Sequence, residues 1–451
     1  MRAARTRRHG TRRAVAATAA LALFATACGG DDGGEGGDGG DGGEASGEVS
    51  LLHGITGEAE QAALQAAVDA FEEESGNTVN VEASPDFDTT IVTRTTGGNA
   101  PDVALYPQPG VLERLASQDA VVPLEEAGVD MAGLEGELIE GMVETGTFDD
   151  EAYGVVVKLN LKSLLWYSPT GLDEVGADGA PETWDDLMSV SEDFASEHSG
   201  DGSRAPWCIG MESGGDTGWV ATDWIEDIML RLHGPDVYDQ WVEHEIEFDS
   251  PEVREAFEML EEIWFDEDQV VGGTTAILQT PFLQGNAPMF NDPPGCLFHR
   301  QAGFIAGEFP DDAELGTDFD MAYFPPIDES VGNPVLFAGD LAAIHTDNPV
   351  AAEFVEFLVS EAGQTAWMEN EGAGALAVRT EFDTGVYPTD ELARQGEILS
   401  GADFARFDAS DVMPGEIGTG AFWTEIVTWL NGNQDLDATL QNIDAAWPSE
   451  S

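Results

Sequence analysis

Lysine is almost missing from this chain: Lys158 and Lys162 are the only two in 451 residues. Lys and Arg together number 17 against 88 Asp and Glu, a formal net charge of -71. A field of that sign excludes nucleic acid or an anionic lipid surface as the main partner, because both would be repelled. It also disfavours a phosphorylated or carboxylated ligand. Only three Cys occur, with no metal-binding spacing, and the seven His are scattered without a pair that suggests a metal site. Neither Lys follows Gly, so the phosphate-cradling Gly-Lys-Ser/Thr loop is excluded. Gly210-Met211-Glu212-Ser213-Gly214 misses the spacing of a nucleophile elbow. His244-Glu245 begins like a zinc protease, but no His follows where one is needed. Neither a cofactor nor a metal is expected.

What is present begins with a leader. Met1 to Arg13 carries six Arg and no acid, and Ala14 to Ala27 is apolar apart from Thr18 and Thr26. That run is shorter than the about 20 residues of a membrane-crossing helix, so residues 1–27 are predicted to be an export signal. Ala25-Thr26-Ala27-Cys28 resembles a lipobox, with Ala25 where Leu is commonest, which would make Cys28 a lipidated N-terminus. Simple secretion with cleavage near Ala27 is the alternative. Residues 28–47 are nearly all Gly, Asp and Glu and have no apolar face to bury, so they read as a flexible, self-repelling tether.

Residues 48–451 exceed what one core usually holds, which predicts two domains. Removing the six Arg of the leader leaves 11 of the 17 basic residues against 88 acids, a net charge near -77. The acids are spread along the whole chain, as in the solvated coat of a protein that works in high salt. If Cys28 carries lipid, Cys208 and Cys296 remain as a possible disulfide outside the cytoplasm, with two free thiols as the alternative. The bond would close a loop of 88 residues and stabilise by about 4 kcal/mol if unstrained.

Periodicity predicts a strand at Glu48–Leu52, a helix over Gly57–Ser75 stopped by Gly76, and strands at Val79–Val81 and Asp102–Tyr106. This alternation indicates an α/β fold with a mainly parallel sheet, whose ligands bind where strands end. The loops in question are His53–Thr56 and Tyr106–Pro109. Thr183 is a predicted N-cap, with Asp186 three residues on. Helical stripes recur near Trp224–Leu232, Val253–Trp264, Ala351–Met368 and Ala421–Leu430. Strand-like runs lie at Ala287–Asn291 and Val335–Ile344.

Several blocks then occur in a telling order. They are Gly98-Asn99-Ala100-Pro101-Asp102-Val103, Tyr153-Gly154-Val155, Thr183-Trp184-Asp185-Asp186-Leu187, Phe282 to Met289 and Pro349 to Leu358. Together with the lipobox and tether, they resemble the extracellular solute-binding proteins of carbohydrate ABC importers. Pro206-Trp207-Cys208-Ile209-Gly210 followed by Thr222 to Asp227 is most similar to the α-glucoside binders among them. The resemblance implies a two-lobed periplasmic-binding-protein-like fold, each lobe a mainly parallel sheet flanked by helices, joined by a hinge that the chain crosses more than once. One lobe would comprise 48–152 and 321–374, the other 153–320 and 375–451. It further implies a monomeric, lipid-anchored receptor outside the membrane. Such a receptor binds a small carbohydrate, hands it to ABC permease subunits and catalyses nothing.

A sugar offers apolar CH faces and a ring of hydroxyls, so its site needs aromatic platforms beside fixed polar groups. Of the 11 Trp, those at 166, 184, 264, 367 and 429 sit on helical or strand stripes and read as core. Trp423 follows the Gly-rich Gly418-Thr419-Gly420 at a helix start, where the resembling maltose-binding branch carries a sugar-stacking Trp. Tyr106 and Gln108 lie in a loop where the same family makes an aromatic and polar contact. In a helix, Trp219, Asp223 and Glu226 share one face, either a sugar-binding one or an acidic solvated one. In a strand, Lys158, Asn160 and Lys162 share one side, either as donors to sugar oxygens or in structural ion pairs. Asp340, after Phe337-Ala338-Gly339, is a further candidate. The rivals are a surface glycosidase, since 88 acids supply any carboxylate spacing, and an adhesive lipoprotein.

Overall fold

The computed structural model describes residues 47–447 apart from 135 and 140, so the leader, Cys28 and nearly all of the tether lie outside the described residues. From Glu48 the chain enters β1 (Glu48–His53), whose inward side chains Val49 and Leu51 are fully or almost fully buried. Helix α1 (Glu58–Ser75) buries the stripe Leu64, Val68 and Phe71 and ends on Gly76, whose φ of 73° is the left-handed turn that glycine adopts without a Cβ penalty. Strands β2 (Thr78–Ala83) and β3 (Val103–Tyr106) pair with β1 on either side, both parallel to it. These elements match the sequence expectation within a residue or two.

The 11-residue strand Pro334–Ile344 is buried along its whole length. Its end pairs antiparallel with β3, its start pairs parallel with Phe404–Phe407, and strand Gly154–Leu161 runs antiparallel beside it. These two long strands link the two lobes. Val155, Val156, Leu159 and Leu161 belong to the core that holds β1–β3. Leu165 and Leu336 belong to a second core, built with helices Trp219–His233, Pro251–Trp264 and Trp423–Leu430.

The second lobe departs from a mainly parallel sheet. Leu164–Tyr167 lies between Phe298–Arg300 and Asp320–Tyr323 and is antiparallel to both. Single parallel bridges from Trp207 to Phe298 and to Val270 widen this sheet. Cys208 and Cys296 are disulfide-bonded beside it, 88 positions apart.

Two further expectations are corrected. Ala287–Phe290 is a turn of 3-10 helix rather than a strand, because Pro288 has no N–H for a sheet ladder. The stripe Ala351–Met368 is two helices, Pro349–Val359 and Glu361–Met368. Ser360 between them is extended and caps the second with its side chain, which accepts from the Gly363 N–H. The Thr183 cap forms as expected, its side chain accepting from the Asp186 N–H. Trp166, Trp184, Trp264, Trp367 and Trp429 are all core. Among the described residues, no helix is long and apolar enough to cross a membrane.

Candidate functional site

A cleft of about 470 Å³ opens between the two cores. Its floor is the pair of long strands, with Lys158, Asn160 and Lys162 on one side of the first and Ala338–Asp340 on the second. The alternation of an extended strand brings those three polar side chains together, as their spacing predicts. One wall is formed by Gly54–Thr56 after β1 and by Pro107 and Gln108 after β3, the carboxyl ends of parallel strands. The opposite wall is aromatic.

That wall carries Trp219, Trp423, Phe282 and Phe304. Trp219 and Phe282 meet edge to face with centroids 5.1 Å apart, and Phe304 lies 6.2 Å from each. Trp219 begins one helix and Trp423 another, and Gly218 lets the two starts touch. A Cβ on Gly218 would fall 2.4 Å from the Trp423 Cβ, and its φ of 144° suits only glycine. Each indole is pinned by a serine: Trp219 Nε1 donates to Ser213 Oγ at 2.9 Å, and Trp423 Nε1 donates to Ser410 Oγ at 3.3 Å. Fixed rings against a polar floor suit a solute with apolar faces and hydroxyl edges.

Both lysines are held by carboxylates. Lys158 Nζ lies 3.2 Å from Glu60 and 3.3 Å from Asp340. Burial alone would lower its pKa, but those two acids raise it above the ordinary value. Lys162 donates to Asp223 at 2.8 Å and to Asp408, and lies 5.6 Å from the Trp219 ring centre. Beneath it sits a buried network in which Arg300 donates to Asp227 at 2.9 Å and Arg231 pairs with the same acid. Asp223, Glu226, Asp227, Asp408 and Asp411 outnumber Lys162, Arg231 and Arg300 there, so all five acids cannot be ionised cheaply. Burial pushes Asp223 up to about 7 against the pull of Lys162, and burial with Asp408 drives Glu226 up as well. Asp408 goes the other way, to about 2: burial would raise it, but Lys162 and hydrogen bonds from Asp223, Lys162 and Glu226 prevail.

Oxygens of Asp223, Glu226 and Asp408 lie within 4.8 Å of one another, close enough for a metal ion. Lys162 occupies two of these acids, and Glu226 accepts from the Ala409 and Ser410 N–H groups at 3.1 and 3.0 Å. The ammonium thus stands where a cation would.

Trp423, Gln108, Lys158, Trp219 and Asp340 line the cleft. Three other candidates do not. Tyr106 is fully buried, its hydroxyl hydrogen-bonded to His345 Nε2 at 2.8 Å and its ring against Phe87, because all four residues of β3 are enclosed. Asp223 and Glu226 are fully buried too. Helix Trp219–His233 packs against neighbours on every side after its first turn, so it has no solvated acidic face and only Trp219 reaches the cleft. Sequence reasoning missed Phe282 and Phe304, which stand on 3-10 turns without periodicity, and Glu60, whose only signal was its place in the first turn of α1.

The family model of the bacterial extracellular solute-binding proteins matches residues 56–365. The chain is 37% identical over 407 residues to the osmoprotective compounds-binding protein GgtB of Synechocystis sp., covering 89% of this chain and 92% of that one. It is also 37% identical over 388 residues to the alpha-glucosides-binding periplasmic protein AglE of Rhizobium meliloti, covering 84% and 82%. The fold is similar to that of the solved bacterial solute receptor AcbH, with a TM-score of 0.75 at 14% identity over 89% of this chain and 98% of that one.

Proposed function

Because the chain belongs to the bacterial extracellular solute-binding proteins, we propose that it captures a neutral, polyhydroxylated solute outside the cytoplasmic membrane for an ABC importer. The solute class is an α-glucoside or a related osmoprotective compound, in keeping with what two of its relatives are named for. The observation that carries this reading is the aromatic wall of Trp219, Phe282 and Trp423 facing the floor of Lys158, Asn160 and Asp340. Rings stack on the apolar faces of a sugar while the floor meets its hydroxyls. The surrounding acids repel an anionic solute.

Binding is coupled to motion of the lobes about the two long strands. Ligand favours closure only through better contacts in the closed form, where both walls touch it. Cys28 anchors the receptor through lipid, and the Gly/Asp tether gives it reach. No step of chemistry is involved.

Isothermal calorimetry and thermal shift with maltose, trehalose and sucrose in high salt test the reading. One of them should bind saturably at one site and raise the melting point, since a ligand bound only to the native state stabilises it. Absence of saturable heat with all three, or steady release of glucose, refutes it.

A further inference from the structure

Asp411 lines the cleft one residue along from Ser410, the serine that pins Trp423. It is 7% exposed, and its main-chain N–H donates to Asp408 Oδ1 at 3.0 Å. Its carboxyl group, by contrast, has no hydrogen bond and no ion pair with any described residue. Lys162 is bonded to Asp223 and Asp408 instead, and Glu226 accepts from the main chain of the short helix Ala409–Val412 that carries Asp411. Asp88 of the first lobe adds its own negative field, with Arg114 acting on Asp88.

An ionised Asp411 would thus be enclosed, unbonded and ringed by Asp408, Asp223 and Asp88, a costly arrangement that a proton relieves. Burial and those acids accordingly hold its pKa well above the usual carboxylate range, against the pull of Lys162. We infer that Asp411 is a neutral carboxylic acid in the ligand-free cleft and donates its O–H to an oxygen of the solute that stacks on Trp423. Its carbonyl oxygen stays available to accept from a hydroxyl. This inference rests on the solute reading proposed above and adds how the cleft tells a neutral solute from a cation. Trp219, Phe282, Phe304 and Trp423 beside an ionised carboxylate would make a cage for a quaternary ammonium group. With the proton in place that charge is missing, and a sugar oxygen is the better partner.

Infrared difference spectra and calorimetry test it together. Ligand-free parent against Asp411→Asn at pH 7 should show, in the parent alone, the carbonyl band of a protonated carboxyl group. With whichever of maltose, trehalose and sucrose the parent binds, Asp411→Ala should lose about 10-fold or more in affinity. Asp411→Asn keeps a neutral donor and acceptor of the same shape and should recover most of that loss. Choline, used as a quaternary ammonium probe, should give no saturable heat. A carboxylate band in place of the acid band overturns the inference, as does a loss in Asp411→Asn as large as in Asp411→Ala. Unchanged affinity in Asp411→Ala, or choline binding that disappears in Asp411→Asn, overturns it too. If the parent binds none of the three sugars, the solute reading falls and the donor role with it, while the infrared band decides by itself whether the proton is there.

Discussion

Replacing Lys162 with Met tests how the cleft floor is held together. Lys162 is 6% exposed, and its ammonium is bonded to two carboxylates that are themselves fully or almost fully enclosed. An exposed pair would contribute at most about 1 kcal/mol. Here removal leaves Asp223 and Asp408 facing each other without their shared counter-charge, so the loss expected is about 3–5 kcal/mol. Its pH dependence follows from the same contacts. In the parent, Asp408 titrates near 2, below its unfolded value of 3.8, and so contributes stability that is present above 3.8 and lost toward 2. Without Lys162 the two acids prefer to be protonated when folded, which reverses the sign: folding suffers at high pH and recovers as pH falls. Urea unfolding followed by tryptophan fluorescence should therefore show a larger difference between variant and parent at pH 8 than at pH 5. A loss under about 1 kcal/mol at pH 8, or one that ignores pH, would refute the argument.

Trp423→Ala should weaken sugar binding by more than about 1 kcal/mol, the worth of an aromatic platform, and calorimetry reads it directly. Gly218→Ala places a methyl 2.4 Å from the Trp423 Cβ on a backbone that resists any Cβ, so stability should fall by about 1–3 kcal/mol and the tryptophan emission of the ligand-free protein should shift. His299 donates from Nδ1 to the Cys208 carbonyl, and burial holds its pKa down at about 4 from 6.5. The unfolded chain thus takes up that proton first, and stability is lost as pH drops from 6.5 through 4. His299→Gln should lose less than the parent over that interval in pH-dependent melts.

Local signals were the readable ones. Apolar spacing located α1 and β1–β3, and Thr183 with Asp186 located a helix start. Strand alternation also put Lys158, Asn160 and Lys162 on one side. The site expectations that failed depended on partners across space. Asp223 and Glu226 look like a sugar-binding or a solvated face until one sees Arg300, Asp408 and Ser410, which come from distant parts of the chain, close over them. Tyr106 ends its strand in sequence, but His345, 239 positions later, takes its hydroxyl away from the cleft. Phe282 and Phe304 gain meaning only because Trp219 lies between two short turns that no periodicity marks.

The enclosure of both lysines bears on how this receptor can be handled. Acylating reagents attack a neutral, accessible amine, whereas Lys158 is 4% exposed, Lys162 is 6% exposed, and both are kept as ammonium ions by their acids. Both lysines of the folded chain should thus be silent toward amine-directed dyes and cross-linkers. A single Lys introduced on either rim of the cleft would become its sole reactive ε-amine, a ready-made address for one fluorophore that tests whether the two halves open and shut.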